Sequence, residues 1–207
     1  MFNDTSVCGV ILAGGKSRRM GGGDKALKNL GGGSLLERVI SLAKPQVDQL
    51  VINANGDITR FAQFGITVIK DVIDDFPGPL AGVLTGMEWA HQNRPHCKWI
   101  ASFACDAPFA PLDLVKKFLC SVSKEKVTMA CAVSGGREHP VFGLWPVSLA
   151  GNLRSAIVEE KTRKVDFWTA RFSVARVEWK TIPIDPFFNV NREEDLKRAE
   201  EFLLEIG

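Results

Sequence analysis

The sequence carries almost no excess charge: 26 Lys and Arg stand against 24 Asp and Glu, a formal net charge of +2 over 207 residues. A dedicated nucleic-acid binder would show a marked basic excess, so that class is set aside. No apolar run approaches the roughly 18 residues that a membrane span needs. The apolar stretch at residues 7–13 follows Asp4 and no basic residue, unlike a secretory leader. The five cysteines (Cys8, Cys97, Cys105, Cys120 and Cys131) include no C-x-x-C pair. An odd, unpatterned set argues against disulfides and thiolate metal sites and fits buried thiols in a reducing cytoplasm. His91, His96 and Cys97 lie close together, but their spacing fits no common zinc pattern. There is no repeat, low-complexity tract or long linker, so residues 1–207 read as one domain. Hydrophobic residues at 45% and charged residues at 24% match ordinary globular composition, which excludes a disordered or fibrous chain.

What is present is an alternation of strand-like and helix-like segments. Residues 8–12 (CGVIL), 49–53, 66–70, 99–105, 127–133, 141–145 and 174–179 read as strands. Apolar residues recur at helical spacing over 34–44, 80–92, 112–123, 148–159 and 192–206, with a shorter helix at 58–64. Residues 134–140 (SGGREHP) read as a polar turn. Phe167, Trp168 and Phe172 stand as a possible exposed patch. The alternation predicts an α/β protein, a mostly parallel sheet with helices on both faces. In such sheets ligands bind beyond the C-terminal ends of the strands. Residues 13–25, 53–55, 71 and 106 fall there, and they are dominated by glycine and polar side chains.

Residues 12–25 (LAGGKSRRMGGGDK) hold the densest signal. The dinucleotide fingerprint G-x-G-x-x-G fails on spacing. A P-loop fails too, since Gly15-Lys16-Ser17 would need a glycine where Val10 stands. A polyphosphate cradle fits better: glycines let backbone N–H groups approach anionic oxygens, and Lys16, Arg18, Arg19 and Lys25 supply charge within ten residues. A plain surface turn is the alternative.

This stretch resembles the signature of the molybdenum cofactor guanylyltransferases. The likeness continues at VINAN (51–55), DFPGPLAG (75–82), CDAPF (105–109), REHP (137–140) and FNVNREEDL (188–196), nearly the whole chain. A departure is GGGSLL around Gly33-Ser34, where relatives often have Lys-Pro; Lys28 stands nearby. The resemblance implies a three-layer α/β/α fold with a mostly parallel mixed sheet, Rossmann-like, of the nucleotide-diphospho-sugar transferase type. It implies transfer of GMP from GTP to the terminal phosphate of molybdopterin, with Mg²⁺ as cofactor. Molybdenum-insertion proteins and apo-molybdoenzymes would be the partners, with no nucleic acid and no membrane, in the cytoplasm. Cytidylyl transfer, sugar-phosphate nucleotidyl transfer and a non-catalytic GTP-binding module remain alternatives.

The residues follow from the same matching. Asp106 is expected as the metal ligand, a hard carboxylate at a strand end; capping the helix near Leu112 is the competing account. Arg19 and Lys25 would neutralise the leaving pyrophosphate. Leu12, Ala13, Gly14, Gly15 and Gly22 would approach the nucleotide through backbone. Asn53 would contact guanine, unless it is merely a turn residue, and Asp71 would accept from ribose or base. Gly78, Gly82, Arg137, Asn189 and Asn191 are assigned to the pterin side. For Asn191, helix capping is an equally good account. His139 has even claims to a site and to a structural place.

Overall fold

The computed structural model describes residues 6–14, 24–74 and 78–206. In chain order the strands are β1 (Val7–Leu12), β2 (Asn29–Leu30), β3 (Gly33–Ser34), β4 (Gln49–Asn53), β5 (Thr67–Ile69), β6 (Trp99–Ala104), β7 (Met129–Ser134), β8 (Arg137–Pro146) and β9 (Val174–Trp179). The helices are α1 (Leu35–Ala43), α2 (Pro79–Asn93), α3 (Leu114–Glu125), α4 (Ala150–Val158), α5 (Val165–Thr169) and α6 (Glu193–Ile206). Residues 58–64 form a 3-10 helix. The main sheet has seven strands in the order β5-β4-β1-β6-β8-β7-β9. Only β8 runs antiparallel to its neighbours, pairing with both β6 and β7. The expected mostly parallel, mixed sheet is therefore what forms.

The central strands are uninterrupted apolar runs because both of their faces are covered. On one face α1 and α3 bury Leu36, Val39, Leu114 and Phe118 against the sheet. On the other, α2 and α4 bury Leu80, Val83, Met87, Leu153 and Ile157 with Trp145 and Trp168. A third cluster, around Leu30, Leu35 and Val190, seats α6. α1 starts at a capping box in which Ser34 accepts from the Glu37 amide and Glu37 accepts from the Ser34 amide. Gly82 and Gly86, four apart on α2, face β1 and β4 without side chains, which lets the helix lie close to the sheet.

Two sequence expectations change. Residues 137–140 are not a turn. Gly135 and Gly136 alone make the turn, at φ +53° and +75°, so β7 and β8 form a hairpin paired from Ser134 and Arg137 onward. Paired positive φ values are the signature of the tight hairpin turn whose twist suits the flanking strands. The register then jumps: Ala132 faces His139 but Cys131 faces Gly143, so Pro140, Val141 and Phe142 bulge out of β8. Ser102 on β6 fastens the bulge, donating to the Val141 carbonyl (2.5 Å) and accepting from Trp145 Nε1 (2.8 Å). The second change concerns the aromatic patch. Trp168 is fully buried and Phe172 packs against the same core, leaving only Phe167 exposed. The five cysteines are free; four are buried as expected, but Cys120 is exposed because it lies off the face that α3 buries.

Candidate active site

The C-terminal ends of β4, β1 and β6 and the start of β8 open on one cavity of about 1120 Å³. Leu12, Ala13, Gly14, Lys25, Asn53, Asp71, Gly78, Asp106, Arg137, Asn189 and Asn191 all line it. Gly15, Arg19 and Gly22 lie outside the described residues. Gly82 does not line the cavity. A Cβ there would stand 2.4 Å from Asn53 Oδ1 and 2.6 Å from Leu12 Cδ2, so Gly82 makes room for two cavity residues rather than for a ligand.

At the β4 end, Asn53 closes the strand and is buried. It is no turn residue: its Nδ2 donates to Asp71 Oδ1 (2.8 Å) and to the Ile69 carbonyl (3.4 Å). The second oxygen of Asp71 accepts from Asn55 Nδ2 (2.6 Å), and Asn55 Oδ1 accepts from the Asp71 amide (3.1 Å). A carboxylate only accepts, so it fixes the Asn53 amide with nitrogen toward Asp71. Asn53 Oδ1 has no hydrogen-bond partner among the described residues.

In the middle, Lys25 Nζ reaches Asp106 Oδ2 at 2.5 Å and Asn191 Oδ1 at 2.6 Å. The two partners lie 81 and 166 residues along the chain. Asp106 does not cap α3, whose N-cap is Asp113. The Val190 amide donates to the Asp106 carbonyl (2.8 Å), fastening the late segment to the strand end. Asn189 and Asn191 flank that anchored residue, and alternate residues of an extended segment share a side. Asn191 does not cap α6 with its side chain, since Asp195 Oδ2 accepts from the Asn191 and Arg192 amides. Asn189 Oδ1 is buried with no hydrogen-bond partner among the described residues. The Asp106 carboxylate and these amide oxygens are hard donors, the set a divalent cation with retained waters and phosphates takes. The donor chemistry therefore fits the expected metal.

Sequence reasoning missed a support beneath Lys25. Asp24 accepts from the Ala26 amide (3.0 Å), capping the short 3-10 turn that carries Lys25. The Arg60 guanidinium bonds the other Asp24 oxygen and also donates to the Asn55 carbonyl (3.0 Å). Arg60 thus ties the lysine side of the cavity to the Asn53–Asn55 side. Asp24 stands inside the quoted glycine motif, but nothing local marks Arg60.

At the β8 end stand Arg137 and His139. His139 is buried, and burial holds its imidazole pKa below the ordinary 6.5, with Asp185 opposing and Arg137 adding to the shift.

The MobA-like NTP transferase domain model matches residues 9–172. A molybdenum cofactor guanylyltransferase of Nitrobacter hamburgensis is 53% identical over 192 residues, 93% of this chain and 92% of that protein. The molybdopterin-guanine dinucleotide biosynthesis protein A of Archaeoglobus fulgidus is similar in fold, with TM-score 0.73 at 23% identity over 96% of this chain and 99% of that one. A Mycobacterium tuberculosis protein solved in complex with manganese has TM-score 0.68 at 17% identity over 95% of this chain and 99% of that one. Likeness of this extent, to the family model and to relatives matched over nearly their full length, makes the chain a member of the molybdenum cofactor guanylyltransferases, within the MobA-like NTP transferases.

Proposed function

We propose that this protein transfers GMP from GTP to the terminal phosphate of molybdopterin, releasing pyrophosphate and the guanine dinucleotide form of the cofactor. The observation that carries the residue assignment is the meeting of Lys25, Asp106 and Asn191, from three distant segments, midway along a cavity whose β4 end holds Asn53 and Asp71.

Guanine sits at the β4 end, against the backbone of Leu12, Ala13 and Gly14. Asp71 holds Asn53 so that Oδ1 accepts from a base N–H. The triphosphate then extends toward Lys25, whose ammonium transfers its hydrogen bonds from protein oxygens to phosphate oxygens. Arg19, with the glycines Gly15 and Gly22, joins it from the preceding stretch of sequence. Asp106, with the amide oxygens of Asn189 and Asn191, would hold a divalent cation, Mg²⁺ in our reading. When bound, that cation supplies charge neutralisation on the α-phosphate. The acceptor phosphate is already anionic at neutral pH, so no general base is needed. What the chain contributes is alignment of the two phosphates and neutralisation of the charge that develops as pyrophosphate leaves. Gly78, Arg137, Asn189 and Asn191 face the acceptor.

Among the described residues no helix is long and apolar enough to cross a membrane. We place the enzyme in the cytoplasm, handing its product to molybdenum-insertion proteins and apo-molybdoenzymes. The test is pyrophosphate release with GTP, CTP or ATP, each with and without molybdopterin. Release with GTP only when molybdopterin is present is expected. Mg²⁺-dependent CTP binding without GTP binding overturns the guanine assignment, and GTP binding without release in the complete mixture makes the protein a nucleotide-binding module.

A further inference from the structure

At the β8 end of the cavity, His139 is backed by a polar chain that the reaction above does not use. Ser134 Oγ lies 2.8 Å from Asp185 Oδ1 and 2.7 Å from His139 Nε2. A serine has one proton to give. The Asp185 carboxylate only accepts, and it also takes the Phe187 amide (3.0 Å), so the serine proton goes to Asp185. Ser134 Oγ must then accept from His139, which puts the imidazole proton on Nε2. The ring is clamped in place, tilted 30° against buried Phe187 at 4.7 Å. Its other nitrogen, Nδ1, has no partner among the described residues, and His139 lines the cavity.

We propose that Asp185 and Ser134 lock His139 as the Nε2–H tautomer so that Nδ1 accepts a hydrogen bond from an N–H or O–H of the acceptor substrate. The proposal rests on the guanylyl-transfer reading for what the substrate is, because guanine at β4 and phosphates at β6 leave the β8 end to the molecule that receives the nucleotide. A pterin, with its several ring N–H donors, is the chemical class that suits such an acceptor. Three strand spacings separate β4 from β8, about 14 Å, room for an extended donor nucleotide between them. The bulge residues Pro140–Phe142 line the cavity beside His139. His139 touches substrate in this scheme; Ser134 and Asp185 are positioning residues. The lowered imidazole pKa keeps Nδ1 unprotonated at neutral pH, as an acceptor must be.

The chain has three histidines, so long-range ¹H–¹⁵N spectra of the full protein, with His139→Gln to assign the signal, read the tautomer directly. A pyrrole-like Nε2 and pyridine-like Nδ1 are expected; the reverse pattern overturns the proposal. Ser134→Ala is expected to abolish the single tautomer, and an unchanged spectrum overturns its positioning role. In turnover assays His139→Gln should raise KM for molybdopterin about three- to tenfold, the loss of one hydrogen bond, with KM for GTP unmoved. His139→Asn, whose amide oxygen falls near the place of Nδ1, should recover part of that loss. Equal KM values for molybdopterin in wild type and His139→Gln overturn the proposal. If the wild type releases no pyrophosphate with molybdopterin, the guanylyl-transfer reading fails, while the spectra still decide the state of the ring.

Discussion

Asp106 brings one carboxylate to the middle of the cavity and shares it with an ammonium, so its removal disturbs chemistry more than folding. Its side chain is 23% exposed and its backbone, not its carboxylate, accepts from Val190. Asp106→Asn should lower turnover at least about a hundredfold, because the missing charge is the one a divalent cation requires. Circular dichroism melts should stay near wild type. Turnover within a few-fold of wild type would remove Asp106 from the metal assignment. His139 makes a second prediction, on stability. Its folded pKa lies below the unfolded value of 6.5, so between the two the unfolded chain binds more protons. The stability contribution is therefore complete above about pH 6.5 and is lost as pH falls through the folded value. Among the described residues, the charged groups acting on the ring are Asp185 and Arg137; Ser134 of β7 bonds it, and Phe187 from the segment before α6 packs on it. Urea titrations from pH 8 to pH 5 should show wild type losing stability more steeply than His139→Gln, and parallel curves would contradict this.

At the scale of elements, the close seat of α2 on the sheet is the decisive contact. Gly82→Ala replaces a poor helix former with the best one, which alone favours the helix by about 1 kcal/mol. The added methyl meets Asn53 Oδ1 at 2.4 Å, and Asn53 cannot yield without leaving Asp71. The variant should bind GTP about tenfold more weakly, the worth of one displaced charge-assisted hydrogen bond, by calorimetry. Unchanged affinity would separate Asn53 from the base. This contact also shows how far the sequence could be read. The strand run before a glycine-rich stretch, the helical spacing of residues 80–92 and the polar residues Asn53, Asp71 and Asp106 at strand ends are local patterns, and these became elements or cavity walls. The bulge in β8 was not legible, because it is held by Ser102 on a neighbouring strand, 39 residues from Val141. Arg60 and Asp24 are 36 residues apart, and the Ser134–Asp185 contact spans 51, so no local spacing announces either. Asn191 was ambiguous for the opposite reason: a helix follows it, and only the tertiary structure gives the cap to Asp195 and the side chain to Lys25.

Across the whole molecule, the sheet separates two apolar layers, and the cavity sits at the rim where both end. Trp168 is buried in the layer behind α2 and α4, its ring 5.9 Å from that of Trp145 and its Nε1 donating to Asn152 Oδ1 (2.8 Å). Trp168→Ala should cost about 3–5 kcal/mol in denaturant titrations. The folded fraction should keep its GTP affinity, since Trp168 does not line the cavity; a parallel loss of affinity would mean that this layer transmits strain to the rim. The direction of β8 has a wider consequence. The strands that carry the nucleotide groups arrive at the rim by their tails, whereas β8 arrives by its head, directly after the Gly135–Gly136 reversal. Insertions or deletions in that reversal, or in the three extra residues beyond it, would reshape the wall that receives a molecule and leave untouched the wall that delivers one. Such a division lets descent retune the recipient of a nucleotide while its source stays fixed.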